Sequence, residues 1–298
     1  MRFLTFFRNR EARVGVLRGE RVLDVTTHAK WLGGQPSLDA SDLIALIASG
    51  QVGLNAVRKL LQAPAEDLPL AELKLLAPIP RPRKNVFCVG WNYLDHFAEG
   101  EAIRQNGQEL PAHPVFFSKT PTAVTGPYET IPYDAKVSAE IDWEVELGVI
   151  IGKNGKNIPE SQAHEYIFGY TVVNDISARD LQRRHGGQWL KGKSLDGTCP
   201  MGPWIVTADE INPDNLRVLT RVNGVAKQDS NTRYLYFKIP RLISELSLGM
   251  TLEAGDIIST GTPPGVGFAR KPPEFLKPGD LLETEIERIG RLQNRIGG

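Results

Sequence analysis

Hydrophobic and polar residues alternate over roughly the first 26 positions of the chain, with breaks at residues 9–10 and 18–20. A period of two puts successive side chains on opposite faces of a strand, so this region is predicted to form short strands joined by turns. Between residues 41 and 61 the apolar positions recur at helical intervals instead, with Ser41 as the expected N-cap. A proline-rich stretch follows, and we place a domain boundary near residue 80.

The rest of the chain is rich in short strands. Apolar runs between Gly and Pro residues predict strands at residues 85–90, 114–118, 143–151, 168–175, 204–207, 217–222, 256–260 and 280–286. Helices are expected near residues 95–105, 159–165, 178–184 and 238–247. This pattern indicates a mainly β (α+β) fold, with residues 1–80 as a small N-terminal domain and residues 81–298 as a barrel or sandwich-like catalytic domain.

Composition and charge exclude several classes of function. Lys plus Arg and Asp plus Glu both number 35, so the net charge is zero, which argues against a nucleic-acid partner or an anionic membrane surface. No run of 18 apolar residues is present, so no membrane span is expected. The only two cysteines, Cys88 and Cys199, form no CxxC pair. We expect a cytoplasmic protein from a reducing compartment.

Three acidic residues alternate with apolar ones in the strand predicted at residues 143–151 and just before it. Asp142, Glu144 and Glu146 share one face, and the residues between them, which are apolar, share the other. Neighbouring carboxylates repel unless solvent or a cation separates them, so the pattern fits either an acidic surface or a metal site. The strand predicted at residues 168–175 ends in Asp175, which is either a third ligand or a helix cap. An all-oxygen set without His or Cys favours Mg²⁺, Mn²⁺ or Ca²⁺.

A histidine and a glutamate lie three residues apart after the strand predicted at residues 85–90. On a helix or turn, His96 and Glu99 would share a face and hydrogen-bond, which is suited to a general base, although such a spacing is also common on protein surfaces. The polar segment at residues 100–114 is either a lid over the substrate or an exposed loop.

Several segments together resemble the fumarylacetoacetate hydrolase family, in the order in which that family carries them. They are GWNYLDH at residues 90–96, DWEVELG at 142–148, NDISARD at 174–180, KGKSLDGTCP at 191–200 and TGTPPGVG at 260–267. The resemblance covers residues 85–290 and implies a mixed β-sandwich roll that is usually dimeric. It implies a divalent metal held by Glu144, Glu146 and Asp175, whereas Asp142 is not expected to touch the metal.

The same resemblance implies roles for further residues of the catalytic domain. His96 with Glu99 would be the pair that activates water, and Lys193 would lie against the developing oxyanion. Three residues would line the substrate site: Arg179, Gln182 and Thr262.

The reaction expected from the resemblance is metal-dependent hydrolysis of a C–C bond in a small 2,4-dioxo acid such as an acylpyruvate. Decarboxylation or keto–enol tautomerisation of oxaloacetate is the alternative within the same family. A non-catalytic metal-binding protein of the same fold is the second alternative. The segment RRHGGQW at residues 183–189 is more basic and richer in Gly than in many relatives, which favours a substrate with a second carboxylate.

Overall fold

The structure, a computed structural model, describes residues 1–29, 39–63, 67–100 and 109–297. Its strands are β1 (Arg2–Arg8), β2 (Glu11–Arg18), β3 (Arg21–Asp24), β4 (Asp67–Pro69), β5 (Lys74–Leu76), β6 (Val86–Gly90), β7 (Val115–Lys119), β8 (Val124–Thr125), β9 (Ile141–Asp142), β10 (Val145–Ile151), β11 (Ile167–Asn174), β12 (Ser177–Ala178), β13 (Cys199–Thr207), β14 (Arg217–Val222), β15 (Val225–Asn231), β16 (Ile257–Ser259), β17 (Leu281–Ile286) and β18 (Gly290–Arg295). Its α-helices are α1 (Val25–Ala29), α2 (Leu43–Ala48), α3 (Gly50–Gln62), α4 (Leu94–Glu99), α5 (Arg179–Arg184), α6 (Leu190–Lys193) and α7 (Ile239–Ser247).

One long mixed sheet forms the body of the protein. Its strand order is β4-β3-β2-β1-β13-β11-β10-β16-β6-β7, with β5 beside β1 and β8 beside β13. Most neighbours are antiparallel, whereas β6 runs parallel to β16 and β8 runs parallel to β13. A second sheet has the order β15-β14-β17-β18, and β9 pairs with β12. A mostly β fold with mixed sheets and few helices confirms the predicted fold class.

The N-terminal strands continue the long sheet. Strand β1 pairs with β13 through Arg2 with Val206 and Phe3 with Ile205, so hydrogen bonding is continuous across the boundary proposed near residue 80. That boundary remains a proposal. The expected N-cap at Ser41 is wrong: Asp42 caps α2, because its Oδ1 accepts a hydrogen bond from the Ala45 amide at 2.7 Å.

Strand β10 lies in the interior of the long sheet and is buried along its whole length. Its odd-numbered residues, such as Val145 and Leu147, pack in one hydrophobic cluster, whereas Ile150 packs in another on the opposite face. Burying a side chain of this size stabilises the fold by about 1.5–3 kcal/mol. The acidic face of the strand therefore looks into the protein, and an exposed acidic surface is excluded for Glu144 and Glu146.

Every predicted strand of the larger domain has a counterpart, with ends shifted by a few residues. The helix expected near residues 95–105 begins at Leu94 and is described as far as Glu99. The predicted lid lies largely at residues 101–108, which are outside the described part of the chain. Within the ranges described, no helix is long and apolar enough to cross a membrane.

Candidate metal centre and active site

A cavity of about 410 Å³ opens where β6, β7, β10 and α5 approach one another. Seven of the nine predicted site residues line it: His96, Glu144, Glu146, Arg179, Gln182, Lys193 and Thr262. The other two lie directly behind this wall, since Glu99 contacts His96 and Asp175 contacts Lys193. The structure thus brings all nine predicted residues together at one place.

Three buried carboxylates form a cluster at the base of the cavity. Each of Glu144, Glu146 and Asp175 offers an oxygen atom, and these atoms all lie within 4.8 Å of one another. The antiparallel pairing of β10 with β11 sets this spacing, because it places Asn174 opposite Val145. Asp175 and Glu144 directly adjoin this last residue pair of the two strands, and the Asp175 amide donates to the Glu144 carbonyl oxygen at 2.9 Å.

Glu144 has two cationic partners at the base of the cavity. Its Oε2 lies 2.7 Å from Lys193 Nζ, and its Oε1 lies 2.7 Å from Arg179 Nη2. Burial opposes ionisation, but the charges of Lys193 and Arg179 outweigh it and hold the pKa of Glu144 below its usual range. Glu144 is therefore an ionised carboxylate at neutral pH.

Glu146 has different partners from Glu144, although the two residues are only two positions apart. Its Oε2 accepts hydrogen bonds from Ser259 Oγ at 2.6 Å and from the Gly261 amide at 2.9 Å. Across the described ranges, no Lys or Arg forms an ion pair with it. Burial, followed by the negative charges of Asp175 and Glu144, raises the pKa of Glu146 well above its usual value. Among the described residues, this carboxylate therefore has no cation in direct contact.

Asp175 is held by two buried lysines. Lys193 Nζ lies 2.7 Å from its Oδ2, and Lys119 Nζ lies 2.9 Å from its Oδ1. Asp175 Oδ1 nevertheless receives no hydrogen bond of good geometry within the described chain. Lys119 was not among the predicted site residues. Its only signal in the sequence is a lysine at the end of the largely apolar segment VFFSK.

These carboxylates fit a hard divalent cation. All the donor atoms are oxygens, which suits Mg²⁺, Mn²⁺ or Ca²⁺ rather than zinc or copper. Glu146 has no cationic partner within the described residues, and Asp175 Oδ1 is a buried acceptor without a well-directed donor. A divalent ion bound between them would relieve both deficits, so the predicted ligands fit a metal.

His96 and Glu99 form a hydrogen-bonded pair at the side of the cavity. His96 Nδ1 lies 2.7 Å from Glu99 Oε1, and Glu99 Oε2 accepts a hydrogen bond from the Gly265 amide at 2.8 Å. When Nδ1 donates its hydrogen to the Glu99 carboxylate, Nε2 is the ring nitrogen with a free lone pair. His96 is 7% exposed, so most of the residue is covered by the protein and the rest faces the cavity.

Arg179 links the carboxylate cluster to other residues of the cavity wall. Its Nε donates to Asp142 Oδ2 at 2.8 Å, and its Nη1 donates to Gln182 Oε1 at 3.1 Å. Asp142 also accepts from the amides of Gly267 and Phe268. Asp142 therefore positions Arg179 and the short 3₁₀ helix at Gly267–Ala269.

Thr262 is fixed by a glutamine that the sequence did not single out. Thr262 Oγ1 donates to the Val145 carbonyl oxygen at 3.0 Å and accepts from Gln228 Nε2 at 2.8 Å. Gln228 Oε1 in turn accepts from the Val145 amide at 3.0 Å. This buried network attaches the loop after β16 to the start of β10, so Thr262 is held at a fixed place in the cavity wall.

Aromatic rings form another wall of the cavity. Trp189 packs edge-on against Trp91, with ring centroids 5.0 Å apart, and against Phe117, with centroids 5.1 Å apart. Trp91 has φ +55°, a left-handed conformation that non-glycine residues seldom adopt and that concentrates at functional sites. Gly90 admits this packing, since a Cβ atom there would lie 2.5 Å from the Trp189 ring.

Comparisons with known proteins identify relatives of this chain. The family described as fumarylacetoacetate (FAA) hydrolase C-terminal matches residues 85–297. Oxaloacetate tautomerase YisK of Bacillus subtilis (strain 168) is 44% identical over 292 residues, which cover 95% of each chain.

Solved structures show the same likeness. The fumarylacetoacetate hydrolase of psychrophilic Exiguobacterium antarcticum is 38% identical, with a TM-score of 0.83 over 100% of this chain and 99% of that one. Maleylpyruvate hydrolase from Sphingobium sp. SYK-6, in complex with manganese(II) and pyruvate, is 31% identical, with a TM-score of 0.78 over 100% and 99%. The chain therefore belongs to the fumarylacetoacetate hydrolase family.

Proposed function

We propose that the protein is a divalent-cation-dependent enzyme that interconverts the keto and enol forms of oxaloacetate. The observation that carries the proposal is that His96, which is hydrogen-bonded to Glu99, lines the same cavity as Glu144 and Glu146 of the carboxylate cluster. Tautomerisation requires a base that moves a proton at carbon beside a centre that stabilises negative charge on oxygen. The relative from Bacillus subtilis named as an oxaloacetate tautomerase supports this reaction over the hydrolysis expected from the sequence.

In this proposal Glu144, Glu146 and Asp175 hold the cation, with Mg²⁺ or Mn²⁺ as first candidates and Ca²⁺ as a third. When bound, such an ion supplies Lewis-acid charge that stabilises an anionic substrate oxygen and orients the 2-oxo acid. The manganese in the related maleylpyruvate hydrolase supports a divalent ion of this kind.

His96 is the proposed proton carrier. Its Nε2 takes a proton from C3 of the keto form, the electron pair of that C–H bond forms the C2–C3 double bond, and the carbonyl π electrons move to the C2 oxygen. The C2 oxygen then takes up this proton from the protonated His96 Nε2, which gives the enol and restores the neutral ring, and the reverse sequence regenerates the ketone. Glu99 keeps the ring oriented and stabilises its protonated form through the 2.7 Å contact at Nδ1.

The remaining predicted residues bind and orient the substrate. We assign Lys193 to the developing negative charge at the C2 oxygen, because its buried ammonium lines the cavity. Arg179, Gln182 and Thr262 line the same space and are held by contacts from behind, which suits them to position a carboxylate and an oxo group.

Hydrolysis of a 2,4-dioxo acid is the second candidate. The same oriented His96 would take a proton from water, and the related maleylpyruvate hydrolase favours this chemistry at 31% identity. Decarboxylation of oxaloacetate needs no activated water and would use the same charge stabilisation. A homodimer and a cytoplasmic location, both expected from the sequence, belong to the proposal as well.

One panel of assays separates these reactions. The enol of oxaloacetate absorbs in the near ultraviolet, so its decay above the spontaneous rate reports tautomerisation. Coupling to lactate dehydrogenase detects pyruvate from decarboxylation or acylpyruvate hydrolysis. We expect enol decay with Mg²⁺ or Mn²⁺ and its loss with EDTA. Metal-dependent stabilisation without turnover of any of these acids would instead favour a non-catalytic protein.

A further inference from the structure

The cavity is lined by three cationic Lys or Arg side chains within the described ranges: Arg179, Arg183 and Lys193. Two of them are buried and already neutralised by carboxylates of the protein, since Arg179 contacts Asp142 and Glu144, and Lys193 contacts Glu144 and Asp175. The third, Arg183, differs in its surroundings and has no role in the proposed proton transfer.

Arg183 lies near the mouth of the cavity, with 48% of its side chain exposed. Its Nη2 contacts Glu140 Oε2 at 2.5 Å, and the Glu140 side chain is itself 33% exposed. Solvent screens an ion pair of this kind, so exchanging Glu140 for another carboxylate costs little. Arg183 is therefore a cation of the cavity wall that is available to a ligand.

Helix α5 places Arg183 with respect to the proposed substrate-binding residues. Arg179 and Arg183 are four residues apart, so they lie on the same face of the helix, about 6 Å apart along its axis. Gly186 and Gly187 line the wall next to Arg183, and a Cβ atom at either would meet nothing within 4 Å. The cavity wall at these two glycines therefore leaves space for a ligand group.

We propose that Arg183 binds the distal carboxylate of the substrate and so selects dicarboxylic 2-oxo acids over those with an uncharged end. The inference rests on the proposed function for the position of the 2-oxo acid head. A guanidinium binds a carboxylate through two parallel hydrogen bonds, which a methyl group cannot accept, so it discriminates between the two. In the absence of substrate, the Arg183 guanidinium forms an ion pair with Glu140, and the substrate carboxylate takes the place of Glu140 on binding.

The test compares two ligands that differ only at the distal end. Oxaloacetate carries a carboxylate where 2-oxobutyrate carries a methyl group. We measure KM and kcat for oxaloacetate, and the inhibition constant of 2-oxobutyrate, in the metal-loaded wild type and in Arg183→Gln. The matched control is Arg184→Gln, because Arg184 is on the same helix, is 62% exposed and does not line the cavity.

For Arg183→Gln we expect the oxaloacetate KM to rise on the order of 10-fold, as for loss of a hydrogen bond to a charged group, with kcat changed less than about 2-fold. The 2-oxobutyrate inhibition constant should stay the same, and Arg184→Gln should match the wild type. Glu140→Gln should lower the oxaloacetate KM, because it removes the competing carboxylate. An unchanged KM in Arg183→Gln, or equal weakening of both ligands, would overturn the inference.

The proposed function can fail separately. If the wild type does not turn over oxaloacetate, calorimetry still gives the dissociation constants of both ligands for each variant. Weaker oxaloacetate binding in Arg183→Gln, with 2-oxobutyrate unaffected, then supports the role of Arg183 although the tautomerase proposal is wrong. Equal dissociation constants for oxaloacetate in Arg183→Gln and the wild type reject that role.

Discussion

The same substitution at two neighbouring glutamates should shift the stability of the metal-free protein in opposite directions. Glu146→Gln removes a buried charge that has two like charges nearby and no cationic partner within the described chain. Glu144→Gln removes the anion that Lys193 and Arg179 both contact at 2.7 Å. We therefore expect the first variant to be at least as stable as the wild type and the second to be less stable.

The magnitudes follow from these distances. At 4.8 Å, the upper limit of the separations within the cluster, two unit charges repel by about 3 kcal/mol at an effective dielectric constant of about 20. Glu146→Gln should thus gain between zero and about 3 kcal/mol, and Gln can still accept the hydrogen bonds from Ser259 and Gly261. Breaking a buried ion pair on one side costs about 3–5 kcal/mol, so Glu144→Gln should lose stability on that order.

The two effects also differ in their pH dependence. The pKa of Glu146 is higher in the folded protein than in the unfolded chain. Below the unfolded pKa the carboxyl group is protonated in both states and does not destabilise the wild type. As pH rises through the folded pKa the buried group becomes charged, and the free energy of unfolding falls. The gain in Glu146→Gln should therefore grow with pH. The folded-state pKa of Glu144 is lowered, so its contribution is present above the unfolded pKa and disappears only as pH falls through the folded value.

The assay is urea unfolding in EDTA at pH 5.5 and at pH 8, followed by tryptophan fluorescence. A parallel series with Mn²⁺ measures the stabilisation from metal, which is about 2.7 kcal/mol at a free concentration of 100 times Kd. Both variants should lose most of this stabilisation, since each lacks one proposed ligand. If both variants destabilise the metal-free protein equally, the charge distribution derived for the cluster is wrong.

Three further predictions concern the cavity and its surroundings. His96→Ala should lower tautomerase kcat by about 10²–10⁴-fold, and Glu99→Gln should lower it less. Stabilisation by metal should be unchanged in both variants. Full activity in His96→Ala would show that His96 is not the proton carrier. Burial raises the pKa of Cys199 to about 12 and that of Cys88 well above its usual value, so neither thiol should react with a maleimide at pH 8 until the protein is unfolded. Gly90→Ala should destabilise the fold by about 1–3 kcal/mol and raise KM, because the added methyl group displaces the Trp189 indole that packs against Gly90. An unchanged KM would show that the aromatic wall of the cavity is not needed for substrate binding.

Local sequence patterns predicted much of the candidate site, because its acidic residues follow strand geometry. Glu144 and Glu146 share a face through the period of two, and the buried course of β10 turns that face inward. Asp142 had the same parity but belongs to a different short strand, since regular pairing is interrupted at residues 143–144. The alternation of residues along the strand therefore placed Asp142 in the carboxylate cluster, where it does not lie. Only the family resemblance separated Asp142 from Glu144 and Glu146.

Contacts between distant parts of the chain could not be predicted in this way. Lys119 reaches Asp175 and Gln228 reaches Thr262 only because the sheets bring their strands together. No spacing in the sequence indicates that these residues are in contact. The sequence also does not distinguish a buried lysine from a surface lysine. Similarly, Asp42 rather than Ser41 caps α2, because a shift of one residue in a helix start leaves the hydrophobic period unchanged.

The interior position of β10 and β11 in the long sheet has a consequence for how fast an ion could enter or leave. Both strands have a paired neighbour on each side, so opening them would require most of the sheet to unfold. The backbone amides next to the carboxylates should then be among the last to exchange with deuterium. Ion exchange would instead run through the mouth of the cavity, past Arg183 and the glycines beside it. Residence time of the ion would be set by that opening, independently of the global stability of the fold.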